Sequence, residues 1–92
     1  MPDDDEIRLT VPPDPDLAAV VVAAVAAVAR NAGIGEEGVA SARAAAEEAF
    51  AEALGHTTGE VVTLTARGAK REYWFELHRA EWTYDAHARA GS

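Results

Sequence analysis

At 92 residues with a formal net charge of −8, the chain is long enough for one small domain with a modest core and little spare stability. It contains no cysteine, which excludes disulfides and thiolate metal sites, and it lacks the basic stripe that nucleic-acid binding requires. Alanine and valine dominate a hydrophobic fraction of 49%, so the expected core is built from small side chains, which suit close helix packing more than a large ligand cavity.

Met1–Glu6 (MPDDDE) reads as a charged, turn-rich, disordered tail. Ile7–Val11 alternates, with Ile7, Leu9 and Val11 on one face and Arg8 and Thr10 on the other, the pattern of a short strand with one buried side. Pro12 and Pro13 forbid continuation of its ladder. Asp14-Pro15-Asp16 is a helix start: an acid to cap free amides, a proline for the first turn, and a second acid at the positive end of the dipole.

From Leu17 to Ala29 every residue is apolar. Leu17, Val21, Val25 and Val28 form the main stripe, and Val20 and Val22 widen it. A helix apolar all round must be covered on both sides, either by the rest of the chain or by a second copy. A homodimer through Leu17–Ala29 is therefore expected. The run is shorter than the ~20 residues that span a bilayer, and no basic segment precedes an apolar core as in a secretory signal. No membrane contact is expected, and the default location is cytoplasmic.

Arg30-Asn31-Ala32-Gly33 closes this helix with a cation and a glycine cap. Gly35-Glu36-Glu37 opens a second, which runs to Leu54 and stops at Gly55. Ala42, Ala46, Ala49, Phe50, Ala53 and Leu54 mark its buried face. Glu48 and Glu52 share a different face, a like-charge pair that costs the helix about 0.2–0.5 kcal/mol. The short link at Ile34 makes the two helices antiparallel neighbours.

Glu60–Arg67 reads as a strand with Val62, Leu64 and Ala66 on one face. Gly68-Ala69-Lys70 reads as the turn, and Glu72–Arg79 as the return strand, with Tyr73, Phe75 and Leu77 on one face and Trp74, Glu76 and His78 on the other. Glu81–Ala86 alternates through Trp82, Tyr84 and Ala86, as a third strand or an extended tail, and residues 87–92 read as a frayed end. The expected fold is an α+β two-layer sandwich over residues 7–86. Two helices pack on one face of a mostly antiparallel sheet, in the order β-α-α-β-β with room for a further strand.

Charge is uneven along the chain: residues 1–60 carry −9 and residues 61–92 carry +1. An acidic surface of this kind keeps a protein soluble and suits contact with a basic protein partner. His56, His78 and His87, even with Glu52, lack the helical His-x-x-x-His spacing of a metal site. Ser41 or Ser92 with Asp85 and His87 lacks the strand-to-helix turn of a nucleophile. Neither a metal nor a cofactor is expected.

Three segments in order, IRLTVPPDPDLAAV, AAAEEAFAEALGH and GEVVTLTARGAKREYWFEL, resemble the anti-sigma-factor serine kinases of the histidine-kinase-like (GHKL) ATPases. The resemblance covers roughly residues 7–78. It implies a reduced form of that ATPase fold, with the general base on Glu48. The Mg²⁺-binding asparagine of that family falls on Glu52, which would add negative charge beside a triphosphate. Its adenine-reading aspartate and following glycines fall on Arg79-Ala80-Glu81-Trp82-Thr83, where none is kept. The family's lid and second glycine-rich segment have no counterpart in the sequence. Glu48 and Glu52 are thus relic positions, and no enzymatic activity is expected.

The resemblance implies a catalytically inert regulatory protein that binds a sigma factor or an anti-sigma antagonist. Val20, Val22, Arg71, Trp74, Arg79 and Trp82 are the candidate partner-binding residues, since aromatics with arginines are common contact anchors. Two alternatives stay open. Glu48 leaves room for an active ATP-dependent anti-sigma serine kinase, and Leu17–Ala29 for a stand-alone dimeric structural module.

Overall fold

The alternation that begins the chain becomes strand β1, Asp4–Val11. A 3-10 turn at Pro15–Leu17 then leads into helix α1, Ala18–Asn31. Helix α2, Glu36–Leu54, is followed by strands β2, Val62–Ala69, β3, Glu72–Arg79, and β4, Trp82–Arg89. The computed structural model describes residues 4–55, 61–69, 71–79 and 82–89. The strands form one antiparallel sheet in the order β1-β2-β3-β4. Both helices lie on one face, α1 against β1, β2 and β3, and α2 against β3 and β4. This is the two-layer α+β arrangement expected from the order of elements.

Each end of α1 is made by local chemistry. The Asp14 carboxylate accepts a hydrogen bond of 2.9 Å from the Asp16 amide, and Pro15 supplies a preset first turn. At the other end Gly33 has φ +90°. The Ile34 amide donates to the Ala29 carbonyl at 3.1 Å and the Gly33 amide to Arg30 at 3.0 Å. These two bonds are a Schellman motif, which needs a left-handed residue at the position Gly33 occupies. The Arg71 amide then donates to the Ala32 carbonyl at 2.7 Å, tying the tip of the β2–β3 hairpin to the end of α1.

The sequence alternation and the sheet differ in three places. β1 starts at Asp4 rather than Ile7, because β2 runs on to Ala69 and pairs Glu6 with Arg67, Asp5 with Gly68 and Asp4 with Ala69. The hairpin reverses between the paired Ala69 and Glu72, with Arg71 at φ +71°. Gly68 is therefore inside the strand. The third alternating segment is a full strand and continues to Arg89, past the expected fraying point at 87. The expected tail at 1–3, the strand start at Glu60, Lys70 and the end at 90–92 lie outside the described residues, as does His56.

Gly68 has a packing reason. A Cβ there would stand 2.9 Å from the Val28 carbonyl oxygen and 3.0 Å from both Val28 Cγ1 and Ala32 Cβ. The last turn of α1 thus rests on bare strand backbone, which only glycine allows. Gly68→Ala is expected to destabilise the fold by about 1–3 kcal/mol through overpacking. It should appear as a lower urea midpoint at unchanged m-value. A midpoint equal to that of the parent chain would mean that the helix end can move away freely.

The core lies between the layers. Val21, Val25, Ala29, Ala42, Ala46 and Ala49 of the helices are fully enclosed, facing Val62, Leu64, Phe75 and Leu77 of the sheet. The apolar run of α1 is mostly covered within the chain: Val21, Val22, Val25, Ala26, Val28 and Ala29 are buried. What α1 leaves outside is a narrower strip at Ala19, Val20, Ala23 and Ala27. Among the described residues, no helix is long and apolar enough to cross a membrane.

Candidate functional site

The residues singled out from the sequence do not gather in one place. Glu48 and Glu52 lie on the exposed face of α2, turned away from Ala46, Ala49, Phe50 and Ala53, which face the core. A shallow groove runs between α1 and α2 on the side away from the sheet, lined by Val22, Ala23, Ala26, Arg30, Arg43 and Glu47. Neither Glu48 nor Glu52 lines it. Among the described residues, no three His, Asp or Glu side chains gather as a metal site would require.

The second place is the end of α2. Arg79, one of the residues expected on a partner surface, is only 2% exposed. Strand alternation puts it on the helix side with Tyr73, Phe75 and Leu77. Its guanidinium Nη1 donates a 2.7 Å hydrogen bond to the Ala53 carbonyl. Helix α2 has no basic residue in its own last turn, so its free carbonyls and the negative end of its dipole are met by a cation from β3. The Nε of Arg79 is buried without a hydrogen-bond partner among the described residues. Val22 likewise sits in the core at 8% exposure, while Val20, two positions away in the same helix, is 45% exposed. In both cases the tertiary packing takes into the core a residue that was expected on a partner surface.

The third place is the helix-free face of the sheet. Trp74 projects there, half-buried, as the alternation of β3 predicts. In the register of the sheet, Glu6, Arg67 and Trp74 stand in one row, and Arg8, Thr65, Glu76 and Asp85 in the next. A third row holds Thr10, Thr63, His78 and Thr83, where His78 Nδ1 and Thr83 Oγ1 share a 3.0 Å hydrogen bond. The face is polar with mixed charge, and Trp74 is the large aromatic in it.

Arg71 is exposed at the hairpin tip, at the far end of β3 from Arg79. The arginines of the hairpin therefore do not converge: Arg67 is on the open face, Arg71 at the tip and Arg79 under α2. Trp82 is also on the helix side, at the start of β4. Its ring stacks on Tyr84 at 6.3 Å between centroids, and Tyr84 meets Phe75 at 5.9 Å. An aromatic ladder thus runs from the core to the β4 edge. Burial raises the pKa of the Tyr73 phenol above its ordinary 10.0, and the nearby Tyr84 adds a smaller push in the same direction.

The role of Arg79 was beyond sequence reasoning. It is charged, its neighbours in sequence read as surface, and its partner Ala53 is 26 residues away. The missing basic residue at the end of α2 was the one available signal. Set beside models of known protein families and curated protein sequences, the chain finds no match.

Proposed function

We propose that the chain is a catalytically inert, anti-sigma-factor-like regulatory protein that acts by binding another protein. The observation that carries this reading is Arg79. By the resemblance, that position belongs to the aspartate that reads the adenine amino group. Here the side chain is a cation turned under α2 and held by the Ala53 carbonyl. A cation has no acceptor oxygen for an adenine amino group, and its place in the packing leaves it unavailable for one. Glu52 in the place of the Mg²⁺-binding asparagine adds to the same reading, because a second carboxylate beside a triphosphate raises the electrostatic cost of binding.

With the nucleotide function set aside, protein contact is what the surface offers. Trp74 among charged and hydroxyl side chains, exposed Arg71 at the hairpin tip and the outer strip of α1 at Val20 are the surviving candidates, with half-buried Trp82 at the sheet edge. By resemblance the partner is a sigma factor or an anti-sigma antagonist, met in the cytoplasm.

Calorimetric titration with MgATP and ADP is expected to show no heat of binding up to millimolar nucleotide. Micromolar binding would overturn the reading and make Glu48 a candidate general base. Co-purification at native expression is expected to bring down a sigma factor or an anti-sigma antagonist, and Trp74→Ala to weaken that contact. Recovery of neither would count heavily against the regulatory role.

A further inference from the structure

We infer that the free edge of β4 is an isologous interface at which a second copy of this chain adds its own β4, antiparallel, to make one continuous sheet. The sheet has two edges, and they differ in chemistry. β1 opens with three consecutive acids, Asp4, Asp5 and Glu6, against Arg8 alone, and is followed by Pro12 and Pro13. Charge and proline are the usual protections of an edge strand. β4, of sequence WTYDAHAR, has one acid and one arginine and no proline. Among the described residues no strand pairs with its outer side.

Its helix side is also incompletely covered. α1 packs on the other three strands, and α2 on β3 and β4. Trp82, Tyr84 and Ala86 are half-buried there, although the first two continue the aromatic ladder that begins at Phe75. A second β4 would extend the sheet past this edge and add cover beside them.

Charge selects a second copy joined at this edge over one joined elsewhere. Each chain carries −8, with −9 in residues 1–60. Pairing through β4, a segment of no net formal charge, keeps the acidic β1 edges apart. Each β1 stands three strands away from the junction, about 14 Å at the ordinary strand spacing. That exceeds the screening length of about 8–10 Å at physiological salt. Opposed residues in an antiparallel pair share a face, which leaves two central registers. One sets Asp85 against its copy, a like-charge pair that is disfavoured. The other puts the small Ala86 on the two-fold axis, and this is the register we assign. It differs from a dimer built on α1, whose remaining outer strip is centred on Val20.

The test is sedimentation equilibrium of the full chain at low and high salt. A monomer–dimer equilibrium is expected, tightening as salt screens the repulsion between two acidic chains. Ala86→Lys, which sets a charge on the axis, is expected to weaken the dimer at least tenfold while circular dichroism stays unchanged. Asp85→Pro, which sets a proline in the edge strand, gives a second edge variant should Ala86→Lys fail to fold. Val20→Glu is expected to leave the dimer intact. A strict monomer at the highest concentration, or a dimer lost in Val20→Glu and kept in the edge variants, would overturn the inference. Because neither nucleotide nor a foreign partner is present, the result is independent of the regulatory reading above.

Discussion

Phe75→Ala is expected to cost about 4–5 kcal/mol, near the top of the range for removing a buried phenylalanine. The reason is what surrounds it. Phe75 is fully enclosed, and its cross-strand neighbours are Ala66 on β2 and Ala86 on β4. The helices above the sheet contribute mainly alanine and valine. Short side chains cannot extend into the space a lost ring leaves, so the cavity persists, and the cost grows with the volume that stays empty. The ring also meets Tyr84 at 5.9 Å and lies parallel to Tyr73 at 6.5 Å, contacts that truncation removes. Against a total of about 5–14 kcal/mol for a domain of this size, the variant would keep only a minor part of its stability. Urea unfolding checks this directly. A loss below about 2 kcal/mol would show that the two layers close on each other, contrary to the rigid contact of α1 with the Gly68 backbone.

Arg79→Asp is expected to destabilise by about 3–5 kcal/mol, the range for leaving a buried charge uncompensated. The carboxylate would face the Ala53 carbonyl and the negative end of α2, where Arg79 now donates at 2.7 Å. Arg79→Met, which keeps much of the stem and removes the donor, is expected to lose about 1–3 kcal/mol for the carbonyl left unpaired. The two variants should also differ in pH dependence. Burial beside an acceptor favours the protonated acid, so the folded state of Arg79→Asp holds its proton to higher pH than the unfolded chain does. Its stability should therefore fall as pH rises from 5 to 7, beyond any change in Arg79→Met. Equal losses in both variants at all pH values would show that Arg79 acts through its stem alone.

That second prediction links fold to function. If aspartate at position 79 unfolds the end of α2, the packing of this chain does not accept there the residue that the proposed resemblance would call for.

How legible the chain was in its sequence varied with the range of the interactions. Both helices could be read within a few residues because their ends are local: Asp14 caps two positions away, and Gly33 closes α1 through bonds to Ala29 and Arg30. The alternation of β3 put Trp74 on the helix-free face for the same reason, since strand geometry alone fixes which neighbours share a face. The hairpin turn was misplaced because Gly68 and Lys70 look like turn residues. The need that Gly68 meets comes from Val28 and Ala32, forty and thirty-six positions earlier.

The candidate site divides in the same way. The sequence by itself determined that Glu48 and Glu52 share a helix face, that Trp74 lies opposite Phe75, and that the chain is an α+β sandwich, because each follows from the period of one element. Only the tertiary structure decided that Val22 is covered while Val20 is not, that Arg79 serves the end of a helix, and that β4 has a single strand neighbour among the described residues. Those outcomes depend on which elements become neighbours. A burial or a hydrogen bond between residues 26 positions apart exists only once the sheet and helices have closed together.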